Sequence, residues 1–98
     1  MAKLRLTRAA AQDLVEFREY GNERFGGDAA DRYFLGLDAA FARLEAYPMA
    51  ASAQPEWGQA IRCLTFRRHR ILYELKNDEV LIVRMLHHAR NVATALKS

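Results

Sequence analysis

His87, His88 and Arg90 stand together at the end of "ILYELKNDEVLIVRMLHHARN", Ile71 to Asn91. Histidine changes charge near neutral pH, and arginine holds phosphate or carboxylate through a rigid fork of donors. Four readings are open to such a group: acid–base catalysis, metal binding, a grip on an anion, or only the polar end of a strand. For a metal the pattern is poor. Neighbours on a strand point to opposite faces, so His87 and His88 are not expected to chelate one ion. His69 is distant in sequence and Cys63 is the single cysteine. No metal site is expected. Cys63 lies between Arg62 and Leu64 in a strand-like run and reads as a buried thiol. Ser52 and Ser98 fall in a loop and at the terminus, neither at a strand-to-helix elbow, and there is no glycine-rich phosphate loop. No cofactor is expected. Metal-free RNA cleavage needs a base, an acid and cations at the phosphate. Arg62, Arg67, Arg68, Arg84, His87, His88 and Arg90 have the right types, yet the same set would serve any anion-binding surface.

The elements that must position these residues follow from the pattern. The 98 residues imply one domain over 1–98, with half its residues hydrophobic. The start, "MAKLRLTRAAA", lacks the apolar stretch of a secretory signal, so a cytoplasmic chain is expected. Residues 1–60 carry 7 Lys/Arg against 9 Asp/Glu, net −2; residues 61–98 carry 8 against 3, net +5. The basic half contains the histidines, which points to an acidic partner.

"KLRLT" alternates as a short strand, and the Thr7 hydroxyl can cap a following helix. Ala10, Leu14, Phe17, Gly21 and Phe25 recur at helical steps and should face the core, with Asp13 among the positions off that stripe. Gly26-Gly27 stops this helix. Asp28 is expected to cap a second, whose stripe is Tyr33, Leu37, Ala40, Phe41 and Leu44, and which Pro48 ends. The short link makes the two helices antiparallel. Residues 48–59 read as one irregular surface loop, with Trp57 plugging a gap beside the sheet. Strands follow at 60–66, 71–76 and 80–86, with "RRHR" as a basic turn and Asn77-Asp78 in a tight hairpin. "NVATALKS" has room for two helical turns. Helices grouped before an antiparallel meander give an α+β fold: an N-terminal strand, then a helical hairpin on a twisted, mainly antiparallel sheet, then a short C-terminal helix.

This order of elements, with "RRHRILYEL…VLIVRMLHHARN", resembles the RelE/ParE superfamily of bacterial toxins, the toxin halves of type II toxin–antitoxin pairs. "LRLTRAAAQDLVEFREYGNERFG" looks like the ParE opening. Tyr47-Pro48 fits the end of the second helix, and Arg62 with Leu64 fits an Arg-x-Leu strand. His69-Arg70-Ile71 with Tyr73 fits the third strand, and Val83 to His87 fits a "VRVLH"-like ending followed by a basic residue, here Arg90. RelE-like members cut mRNA on the ribosome; ParE-like members poison DNA gyrase. The chain departs from the RelE pattern. Ile61, Cys63 and Thr65 stand where lysines are usual, and Val92 to Leu96 stand where a tyrosine or histidine is usual. Arg67-Arg68 stands where ParE-like chains often have Gly or Ser.

The resemblance therefore implies a ParE-like gyrase inhibitor with no catalytic residues and no cofactor. Arg62, Arg70, Arg84, Leu86, His87, His88 and Arg90 would form its target- or antitoxin-binding surface. Its partners would be gyrase and a cognate antitoxin with an acidic amphipathic tail, with operator DNA reached only through the antitoxin. A RelE-like ribonuclease built on Arg62, Arg84 and His87 is the alternative, and a non-toxic member of such a complex is a third class. Two expectations concern "VLIVRML". Arg84 should emerge on the sheet face away from the helices or pair with a carboxylate such as Glu74. One apolar set, Val80, Ile82 and Leu86 or else Leu81, Val83 and Met85, should lie uncovered and await the antitoxin, because the tail is too short to hide it.

Overall fold

The computed structural model describes residues 2–97; Met1 and Ser98 lie outside them. The chain forms β1 (Lys3–Leu6), α1 (Arg8–Arg24), α2 (Gly27–Ala46), β2 (Ser52–Ala53), a 3₁₀ turn (Pro55–Trp57), β3 (Arg62–Phe66), β4 (His69–Lys76), β5 (Glu79–His87) and α3 (Val92–Leu96). The five strands make one sheet in the order β1-β5-β4-β3-β2. β1 runs parallel to β5, and every other pairing is antiparallel. This is the α+β arrangement expected from the pattern.

Thr7 caps α1 as its position suggests. Its Oγ1 accepts from the Ala10 amide at 3.0 Å and donates to the Val83 carbonyl at 2.7 Å, so one hydroxyl ties the helix start to β5. The helices pass closely at Gly21, where an added Cβ would meet the Phe34 ring at 2.8 Å. The α2 cap differs from expectation. Gly26, at φ 65°, holds the cap position and Asp28 falls in the first turn, where its charge suits the helix dipole. Phe25, assigned to the α1 stripe, is half exposed. Residues 48–59 are more ordered than a bare loop: they supply the edge strand β2 and the 3₁₀ turn. The Tyr73 hydroxyl fastens their start by donating to the Pro48 carbonyl at 2.7 Å. Trp57 does pack beside the sheet.

The hairpin turn at Asn77-Asp78 has both residues at positive φ, 52° and 61°, the backbone that two-residue hairpins require. Farther along, β5 breaks step. Leu72 pairs with Arg84 and Tyr73 with Ile82, leaving Val83 without a partner across β4. Such a bulge resets the alternation of faces. Val80, Ile82 and Met85 therefore share the hairpin-covered core with Phe17, Tyr33, Leu37, Ile71 and Tyr73. Leu86 turns the other way, into a second cluster with Ile61, Leu72, Val92 and Ala95, against which Trp57, Cys63, Val83 and Leu96 pack.

Two expectations fail here. Leu86, assigned to a binding surface, is buried at 1% exposure. The far sheet face is not left open either: five-residue α3 covers it together with Trp57 and Ile61. The tail alone would be too short, but the ordered 48–59 segment supplies the rest. The large apolar side chains that remain exposed are Val15, Phe25, Leu35, Tyr47, Met49 and Leu75. Tyr47 and Met49 lie just beyond the end of α2, and Met49 and Leu75 line two shallow cavities there. No helix among the described residues is long and apolar enough to cross a membrane.

Candidate functional site

The residues singled out from sequence fall into three settings. Arg84 is the first. It leaves β5 on the face of its register partner Leu72, and all three of its nitrogens donate to partners within the chain. Nε donates to Asp13 Oδ2 at 2.7 Å, Nη2 to Asp13 Oδ1 at 3.0 Å, and Nη1 to the Ala95 carbonyl at 2.9 Å. Asp13 Oδ2 also accepts from the Met85 amide at 3.0 Å, on the stretch of β5 that extends past β1. One carboxylate thus satisfies a guanidinium and an open strand edge, and one guanidinium joins α1, β5 and α3. Arg84 does meet a carboxylate, but it is Asp13 and not Glu74, which sits opposite Leu81. Asp13 is also a correction: it is buried. The sequence signal was its place three residues after Ala10 and four before Phe17, on the stripe itself. The hydrogen bonds to Asp13 raise the pKa of Arg84 further, so its guanidinium stays charged.

Arg62 and Arg70 form the second setting. Arg62 Nη1 donates to the Ala51 carbonyl at 2.7 Å, holding the loop before β2. Arg70 Nη1 donates to the His88 carbonyl at 3.0 Å, and its guanidinium lies 5.8 Å from the Trp57 ring centre. Arg62 shares its register with Tyr73 of the hairpin-side core, whereas Arg84 shares its own with Leu72 of the far-side cluster. Arg62, Arg84 and His87, the set a ribonuclease would use, are not brought together.

The third setting is the mouth of β5. His69 is the register partner of His87, which the distance in sequence concealed. A line of rings runs from the core outward. Phe17 meets His69 edge-on at 4.9 Å, His69 meets His87 at 5.4 Å, and His87 lies 4.4 Å from His88. The rings meet edge-on or tilted, and no cluster of three or more His, Cys, Asp or Glu among the described residues could hold a metal ion. His69 is 7% exposed, and its Nδ1 has no hydrogen-bond partner. Burial, then the neighbouring His87 and His88, lowers its pKa to about 4. His87 is lowered too, first by desolvation and then by His88 and Arg68. Its Nδ1 accepts from the Ala89 amide at 3.2 Å, so the neutral ring carries its proton on Nε2. His88 is exposed, and its Nδ1 donates to the Arg68 carbonyl at 3.2 Å. Arg90 is also exposed, and a groove of about 290 Å³ between α1 and this mouth is lined by Glu16, Tyr20, His69, His87 and Arg90 among others. The groove offers imidazole, one cation, Arg90, and the carboxyl group of Glu16.

Cys63 is half-buried, and burial pushes its thiol pKa up, which disfavours the thiolate.

A family model described as the ParE toxin of the type II toxin–antitoxin system, parDE, matches residues 4–92. No curated protein matches. Among solved structures, a chain of the chromosomal ParDE toxin–antitoxin system from P. aeruginosa superposes with a TM-score of 0.73 at 21% identity, covering 89% of this chain and 96% of that one. The solution structure of the conserved hypothetical protein HP0894 from Helicobacter pylori gives a TM-score of 0.46 at 15% identity, covering 92% and 98%.

Proposed function

This chain belongs to the ParE toxin family of type II toxin–antitoxin systems, and on that premise we propose that it inhibits DNA gyrase by binding, without catalysis of its own, and is neutralised by a cognate antitoxin. The observation that supports the non-catalytic reading is the fate of Arg84. A phosphate-binding arginine must keep donors free for the transition state. Here each guanidinium nitrogen already donates once, to Asp13 or to the Ala95 carbonyl. Arg62 is committed to Ala51 at another place on the sheet. A nuclease would have to break the pair that joins three elements before it could use Arg84.

The antitoxin in this reading carries acidic groups for the exposed mouth at His88 and Arg90, and apolar anchors. With the far sheet face already covered, its anchors go to the exposed Tyr47, Met49 and Leu75. Contact with the operator runs through the antitoxin, and the toxin acts in the cytoplasm. The test titrates the purified chain into a gyrase supercoiling reaction and then adds antitoxin. Loss of supercoiling, restored by antitoxin, is expected; supercoiling that proceeds at a large excess of the chain refutes the proposal. Antitoxin association should slow with added salt and with Arg90→Glu, and association indifferent to both removes the basic mouth from that interface.

A further inference from the structure

One end of the molecule is rich in cations that the fold does not use. The β3–β4 turn, Arg67-Arg68, meets the end of α1 and the start of α2 there. A cavity of about 210 Å³ is lined by Tyr20, Arg24, Phe25, Tyr33, Arg67 and Arg68. A second, about 180 Å³, shares Phe25, Tyr33 and Arg67 as a common wall and adds Ala29 and Arg32. No acidic residue lines either one. The guanidinium of Arg67 lies over Tyr33 at 5.3 Å and Phe66 at 5.7 Å, and that of Arg24 over Tyr20 at 5.8 Å. Arg24, Arg32, Arg67 and Arg68 belong to neither of the two ion pairs found among the described residues, Arg5–Glu79 and Arg84–Asp13. Arg24 and Arg67 thus lie near aromatic rings, and none of the four guanidiniums is taken up by an ion pair.

The turn itself is strained for this purpose. Arg67 sits at φ 53°. A side chain there costs of order 1 kcal/mol, which glycine would avoid, and such strain marks a position held for something other than ease of folding. Phe25 is half exposed although it belongs by spacing to a core stripe.

We propose that this end is a binding site for single-stranded nucleic acid, with neighbouring bases in the two cavities on either side of the Phe25–Tyr33–Arg67 wall and phosphates along Arg24, Arg32 and Arg68. Aromatic rings and guanidinium planes are stacking platforms for bases, and free arginine forks take phosphate. An acidic peptide would meet the arginines but leave the half-exposed Phe25 ring uncovered, whereas Tyr33 is buried behind it and backs the wall. A free nucleotide would fill only one cavity, each smaller than the roughly 300 Å³ at which small-molecule pockets begin. Duplex bases are stacked away and cannot enter. The site is separate from the gyrase reading, which stands or falls by itself.

The test is fluorescence anisotropy of the full chain with a labelled oligothymidylate of about ten nucleotides, within the span such sites occupy. Binding should weaken with salt at a log–log slope of about −2, as expected for three phosphate contacts on a single strand. Arg67→Gly removes the platform yet suits the turn's backbone, so it should leave the thermal midpoint near its original value and weaken binding about tenfold or more. Phe25→Ala should weaken binding with the salt slope unchanged, since no phosphate contact is lost. Unchanged binding by a folded Arg67→Gly, competition by a poly-glutamate peptide as strong as by unlabelled oligothymidylate, or equal binding of a duplex would overturn the proposal.

Discussion

Arg84 lies within β5 and Arg67 in the turn after β3, and the molecule treats the two arginines oppositely. Arg84 is enclosed, with carboxylate, carbonyl and packing all supplied from within the chain. Arg67 lies on a turn, over aromatic rings, and belongs to neither ion pair of the described chain. The residue type does not separate a structural cation from a contact cation; the neighbours' inventory does. A buried guanidinium without a carboxylate would cost several kcal/mol, so one had to be found within reach. A cation on an exposed turn carries no such demand.

The contrast is broken most forcefully at the enclosed pair. Arg84→Ala leaves the Asp13 carboxylate buried with only the Met85 amide, and should lower unfolding free energy by ~3–5 kcal/mol in urea titrations. The double variant Asp13→Ala/Arg84→Met should recover part of that, less than all because the Met85 amide stays unpaired. A single variant within about 1 kcal/mol of the original protein would mean the pair is solvated and Arg84 is available for chemistry after all.

Next comes the cluster that the pair helps hold down. Leu86→Ala should cost ~2–4 kcal/mol, as for a core leucine. A cost near zero would return Leu86 to the surface and restore an open sheet face.

His69 sharpens the comparison through pH. Its folded pKa, about 4, lies below the ordinary 6.5. The unfolded chain therefore takes up the proton first as pH falls. The stability due to neutral burial is fully present above pH 6.5 and is lost between 6.5 and 4, up to about 3 kcal/mol. His69→Gln should flatten denaturation midpoints across that window, and an unchanged pH slope would show that the ring reaches water in the folded state.

The smallest effect belongs to the turn. Arg67→Gly relieves strain but loses stacking and gains unfolded-state freedom, so stability should move by less than about 1 kcal/mol. A larger loss, measured in the same urea titrations as Arg84→Ala, would make Arg67 structural and erase the distinction.

Much of the scaffold was legible. Thr7, Gly26-Gly27, Pro48 and Asn77-Asp78 act locally, through caps and turns whose backbone demands are written in residue type. What escaped depends on pairing between distant segments. The bulge at Val83 has no composition signal within "VLIVRML", yet it exchanges Leu86 for Met85 between the two sheet faces. His69 meets His87 only through the register of β4 and β5. Asp13 was within reach of reasoning: a lone arginine in an apolar strand demands an acid, and Asp13 was the acid on the buried side of α1. The cover on the far sheet face escaped because Trp57 belongs to a stretch that reads as a loop, and its packing with Ile61 and α3 depends on distant segments.

In the proposed mode of action this toxin binds gyrase and leaves RNA uncut. Its most direct test places one preparation of the chain in two reactions side by side, plasmid supercoiling by gyrase and primer extension on ribosome-bound message. Relaxed plasmid should accumulate in the first, and the message should stay intact in the second. Normal supercoiling together with specific cuts in the message, absent with His87→Ala, would contradict this mode of action.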